Sequence, residues 1–140
     1  MTTGELQRFV SAQDSEGIYE RAMEELAAGR KESHWMWFVF PQLAGLGRSP
    51  TAQRYAVMSI AEARAYLGHP VLGPRLVAAA QRQLSLSGTS AQRIFGSVDA
   101  QKLRSSMTLF SRADPEQRVF DQVLERYFDG EPDPLTDRLL

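Results

Sequence analysis

The chain contains no cysteine. That excludes a disulfide framework, a cysteine nucleophile and thiolate metal ligands, and it suits a reducing compartment, so a cytoplasmic location is expected. Histidine is scarce. His34 and His69 are the only two, and they come without an HxxxH spacing or an acidic cluster, so no metal and no cofactor is implied. Lysine is equally scarce: Lys31 and Lys102 stand in a chain otherwise served by arginine. No long apolar run is present. The longest, Trp35 to Leu46, is too short to span a bilayer and contains Pro41. A basic stretch followed by an apolar run is missing near Met1, so no signal peptide is expected.

Acids are nearly absent from the middle of the chain. Residues 33–113 hold Glu62 and Asp99 against seven arginines, Lys102 and Arg104, whereas the segments before and after are acidic. The whole carries a net charge of −1. Either the acidic ends fold back onto the basic middle, or part of the basic surplus faces a cleft and attracts an anion. With the overall balance slightly acidic and no basic run, neither nucleic acid nor a membrane is an expected partner. At 140 residues the chain reads as one domain, residues 1–140, large enough for its own core.

Helix signals dominate. A short helix is expected around Leu6, Phe9 and Val10. Ile18, Ala22, Met23 and Leu26 then recur at helical spacing before a stop at Gly29. Ser49-Pro50 reads as a cap and first-turn proline opening a helix through Tyr55 and Met58. Ser59 recaps Ile60 to Leu67, and Val71 to Leu84 follows. Ser90 caps a short helix ending at Gly96. The next helix carries Leu103, Met107 and Phe110. Asp114-Pro115-Glu116 starts the last long one, with Val119, Phe120, Val123, Leu124 and Tyr127 as its stripe. The tail after Pro134 forms one more turn. Strand evidence is thin, and Trp35 to Phe40 stays ambiguous between helix and strand. The fold class expected is all-α: a compact multi-helix single domain.

Several motifs are specific enough to compare. Phe9-Val10-Ser11-Ala12-Gln13, Gly29 through Gln42 with its core Ser33-His34-Trp35-Met36-Trp37-Phe38-Val39-Phe40-Pro41-Gln42, Gly45-Leu46-Gly47, Glu62 to Leu67, Ile94-Phe95-Gly96 and Lys102 to Phe110 together resemble domain-of-unknown-function family 1810. This is a bacterial family whose members are often labelled calpastatin. The likeness covers almost the whole chain. It implies a helical domain with a central helix surrounded by others, and it implies no established activity. A looser similarity of style is to a helical family associated with ADP-ribose-type N-glycosidic bonds.

The candidate site residues each have two readings. Trp35 and Trp37 are both core, or one of them stacks on a planar ligand. The amide of Gln42 reads a ligand edge or closes a turn. His34 is a general acid or base, or a hydrogen-bonded structural histidine. Asp99 and Glu62 are catalytic carboxylates, or they serve helix starts and arginines such as Arg54. Lys102, Ser105 and Ser106 share a helical face that suits a phosphate or a carboxylate, with Arg104 beside them. The alternative is that the serines are small because helices pack closely there. Arg104 bridges to the acidic C-terminal stretch or lines the pocket, with the pocket slightly preferred. Gly47, Arg48 and Ser49 precede a helix start that could hold an anion on backbone N–H groups. The leading functional expectation is a site for a phosphate-bearing or nucleotide-like anionic small molecule, with action on an N-glycosidic bond as an open extension. The rival is a non-catalytic protein-interaction module. Whether the protein is an enzyme stays open at this point.

Overall fold

Serine caps set three of the helix starts, a matter of local chemistry. The computed structural model describes residues 3–140. Its elements are α1 (Thr3–Asp14), a 3₁₀ turn (Ser15–Gly17), α2 (Ile18–Ala28), α3 (Met36–Val39), α4 (Pro50–Arg54), α5 (Ile60–Gly68), α6 (Leu72–Leu84), α7 (Ala91–Ala113), α8 (Val119–Phe128) and α9 (Pro134–Leu139). The hydroxyls of Ser49, Ser59 and Ser90 accept the backbone N–H groups of Ala52, Glu62 and Arg93. Each satisfies one of the donors that a helix start leaves unpaired.

The central element is α7. An exposed helix buries one stripe, whereas a helix surrounded by others is buried all round. Every residue from Ser105 to Ser111 is buried, and α5, α8, α9 and α3 pack around this helix. Phe110 links the layers: its ring meets Tyr66 of α5 at 5.3 Å and Phe120 of α8 at 5.8 Å. The fold is therefore a compact, all-helical domain. No helix among the described residues is long and apolar enough to cross a membrane.

Three local readings change. The helix opened by Ser49-Pro50 stops at Arg54 instead of reaching Met58. The Val57 N–H donates to the Gln42 carbonyl, and the Val57 carbonyl accepts from Ala44, at 2.8 and 2.7 Å. That isolated bridge takes the backbone groups a longer helix would need. The last long helix starts at Val119 rather than at Asp114, because Asp114 closes a turn with its carbonyl to Gln117 and its carboxylate to Glu116. The aromatic segment is neither strand nor long helix. It forms the single turn Met36–Val39 and then leaves as irregular chain through Pro41.

Candidate functional site

The site is built by a loop and a kinked helix. α2 ends at Gly29, and the chain then folds back over its own last turn, with the Arg30 N–H donating to the Glu25 carbonyl. Glu25 holds this return in place. Its carboxylate accepts the backbone N–H groups of Glu32 and Ser33, the Ser33 hydroxyl, and the Trp35 indole N–H at 2.8 Å. Burial opposes the charge on Glu25, but these hydrogen bonds outweigh it and bring its pKa down to about 2. The Lys31 N–H, next in the loop, donates to the carbonyl of Ile94 on α7.

α7 bends where it meets this loop. Gly96 has φ 81 and ψ 165, a conformation essentially reserved for glycine. Beyond the kink, Asp99 and Lys102 stand one turn apart. The Asp99 carboxylate bridges the chain's two lysines, with Oδ2 at 2.8 Å from Lys31 Nζ and Oδ1 at 3.1 Å from Lys102 Nζ. Burial raises the Asp99 pKa, but hydrogen bonds from Lys31 and Lys102 more than reverse it, so the carboxyl sits below its ordinary range. Each lysine also lies over one of the two tryptophans. Lys31 Nζ is 5.3 Å from the Trp35 ring centroid, and Lys102 Nζ is 3.6 Å from that of Trp37, both within cation–π range. His34 is exposed and joins Lys31, Trp37, Asp99 and Lys102 around a hollow of about 70 Å³.

Trp37 lines a second space as well. A cavity of about 140 Å³ is walled by Trp37, Gln42, Gly47, Tyr55 and Met58, among others. The loop from Gly45 to Gly47 needs its small residues. A Cβ on Gly47 would lie 2.6 Å from the Ala52 Cβ. Trp37 thus has a polar, cationic hollow on one side of the site and a mostly apolar cavity on the other.

The structure brings His34, Trp35, Trp37, Asp99 and Lys102 together, and Trp37 joins Gln42 to them. Trp35 is fully buried, packing its ring 6.2 Å from Phe40 and 6.4 Å from Phe95, so it serves as the core member of the pair. The other sequence candidates go elsewhere. Glu62 is buried at the start of α5, where it accepts the Met58 N–H and faces Arg8, not Arg54, at 3.5 Å. Ser49 spends its hydroxyl on the cap of a five-residue helix, and Arg48 is exposed beside it.

The expectation that Arg104 favours the pocket is corrected. Arg104 donates to the carbonyls of Glu131 and Pro132 at 3.0 and 2.9 Å. It thereby holds the C-terminal stretch, with the exposed Glu131 carboxylate 3.8 Å away. Ser105 joins that same contact. Its hydroxyl donates to Asp133, whose carboxylate also takes Gln101, the Thr136 N–H and the Thr136 hydroxyl. Ser106 is fully buried, and its hydroxyl has no partner. The shared face of Lys102, Ser105 and Ser106 is therefore divided between the hollow and helix packing.

These motifs decide the relationship. The chain belongs to the family described as protein of unknown function (DUF1810), which matches residues 3–140. It is also similar to a solved structure of the conserved hypothetical protein Rv1873 from Mycobacterium tuberculosis, at 50% identity, over 97% of this chain and 96% of that one, with a TM-score of 0.94. None of the curated proteins matches it.

Two residues that shape the site were not among the candidates read from the sequence. Lys31 stood out only as one of the chain's two lysines, immediately before the aromatic motif. Glu25 gave no signal, since Glu24 beside it has the same chemistry. Among the described residues, no three of His, Asp and Glu converge closely enough to hold a metal ion.

Proposed function

We propose that this protein binds a phosphate-bearing, nucleotide-like small molecule. Its anionic group lies in the hollow between Lys31, His34 and Lys102, and its planar part lies in the cavity beyond Trp37. The observation that carries this reading is the meeting of both lysines of the chain at one carboxylate, each over a tryptophan. Two ammonium groups on one carboxylate leave a surplus positive charge in a partly buried place, where an anion is attracted more strongly than in open water. The cavity beyond Trp37 adds an aromatic wall, with the Gln42 amide at its edge.

The same charge balance argues for binding and against N-glycosidic cleavage. Such cleavage passes through a cationic, oxocarbenium-like transition state. Asp99 is the carboxylate at hand, and two ammonium groups already neutralise it. A cationic transition state would meet net repulsion there. A cytoplasmic setting goes with this reading, because nucleotides and sugar phosphates are held there.

Thermal shift with the full chain tests it. Ligand at a hundredfold excess over Kd stabilises by about 2.7 kcal/mol, enough to raise the melting temperature measurably. Nucleotides or sugar phosphates should give that rise, and Lys102→Met should remove it. A flat response across nucleotides, ADP-ribose and sugar phosphates overturns the reading. It would favour a protein-interaction module, for which the exposed apolar residues Leu135, Leu139 and Leu140 are the supporting observation.

A further inference from the structure

We infer that the hollow at Asp99 selects a singly charged oxyanion, a phosphodiester or a carboxylate, over a doubly charged one such as a terminal phosphate. This rests on the binding reading above for the place of the anion; within that reading it favours a phosphodiester over a terminal phosphate, and a carboxylate ligand would replace the phosphate altogether. The hollow of about 70 Å³ is half the size of the cavity beyond Trp37, at about 140 Å³, so it suits one small charged group rather than a whole ligand. The charged or titratable groups facing it come from two elements. Lys31 and His34 belong to the loop after α2, and Asp99 and Lys102 belong to α7; the remaining walls are Trp35, Met36 and Trp37.

Charge counting then decides the preference. Both oxygens of Asp99 are engaged, one by each lysine. Lys31 and Lys102 with Asp99 therefore present one surplus positive charge. A monoanion compensates that surplus. A dianion overshoots it, and its second charge lies beside the Asp99 carboxylate in a place only partly screened by water.

Three probes keep their charge throughout the range needed: dimethyl phosphate and acetate as monoanions, and sulfate as dianion. They are titrated into the full chain at constant ionic strength, with melting temperature and tryptophan fluorescence as readouts. At pH 8 at least one monoanion should bind roughly tenfold or more tightly than sulfate. Dimethyl phosphate ahead of acetate identifies a diester ligand, and the reverse order identifies a carboxylate. Asp99→Asn should erase or invert the preference against sulfate. Lys102→Met leaves Lys31 and Asp99 balanced and should lose the binding of both monoanions. Because methionine keeps most of the lysine's bulk, that variant carries the test even if Asp99→Asn fails to fold. Sulfate binding as well as both monoanions at pH 8, or no response to any of the three, overturns the inference. If nucleotides still stabilise the protein under those outcomes, the binding reading stands and only the charge selection falls.

Discussion

The indole N–H of Trp35 donates to the carboxylate of Glu25 at 2.8 Å, inside the core. A tryptophan ring brings a large apolar area and one polar atom that must find a partner. Glu25 supplies that partner and also ties down the loop from Glu32 to Ser33. These contacts, with the bond from the Lys31 N–H to the Ile94 carbonyl, place Lys31 and His34 beside α7, so the candidate site depends on a residue that never touches it.

Glu25→Gln should cost about 1.5–3 kcal/mol at neutral pH, the usual worth of hydrogen bonds to a charged group. The pH dependence has a definite sign. The carboxyl is held near 2 in the folded protein against an ordinary 4.5. Its contribution is therefore complete above pH 4.5 and is lost as the pH falls from there through about 2. Urea melts at intervals across that window should show the parent protein losing this increment, while Glu25→Gln shows a flatter response. Equal acid sensitivity in both proteins would contradict the assignment.

Arg104→Ala should destabilise by about 1–2 kcal/mol, and the loss should persist in 1 M salt. Its two short bonds go to the neutral carbonyls of Glu131 and Pro132, whereas the nearest carboxylate oxygen, on exposed Glu131, is 3.8 Å away. Salt screens charges and leaves bonds to carbonyls largely intact. Hydrogen exchange should quicken across α9 in the same variant. A loss that vanishes in high salt would instead assign the effect to the Glu131 ion pair.

Gly47→Ala should cost roughly 1–3 kcal/mol through overpacking, since the new methyl would fall 2.6 Å from the Ala52 Cβ. Neither atom sits on a flexible side chain, so the backbone must move. Adding Ala52→Gly removes the clash and should recover most of the loss, beyond what Ala52→Gly does alone. Denaturant midpoints of the four proteins in this cycle measure the coupling. Absence of coupling would place the strain elsewhere.

The caps at Ser49, Ser59 and Ser90 were legible because capping is local chemistry, decided within three residues. The C-terminal end of α4 and the start of α8 were not, because Val57 and Asp114 are held by backbone partners that periodicity does not reveal. At the site, residue type was a partial guide. His34, Trp37, Asp99 and Lys102 could be named from their chemistry. That Lys31 and Lys102 share one carboxylate could not, since the loop and α7 meet only in the folded chain. Ser105 and Arg104 illustrate the opposite case. Their types suggested a ligand, yet Asp133 and the carbonyls of Glu131 and Pro132 take them.

The two tryptophans should separate stability from binding. Trp35 is fully buried among Phe40 and Phe95 and carries the bond to Glu25. Trp35→Ala should therefore cost roughly 3–5 kcal/mol or prevent folding altogether. Trp37 is only half-buried, and its main specific contact is the Lys102 ammonium 3.6 Å from the ring. Truncating it removes less packing, so Trp37→Ala should fold with a much smaller loss of stability. Lys102→Met keeps most of the side-chain bulk but deletes both the contact with Trp37 and the ion pair with Asp99, so its cost should be the ~0.5–2 kcal/mol of a cation–π pair plus the ~0–1 kcal/mol of a partly exposed ion pair. Both Trp37→Ala and Lys102→Met should abolish the nucleotide-induced rise in melting temperature while leaving circular dichroism unchanged. A Trp37→Ala protein as unstable as Trp35→Ala would make Trp37 a core residue. A stable one that still responds to nucleotides would move the ligand away from this ring.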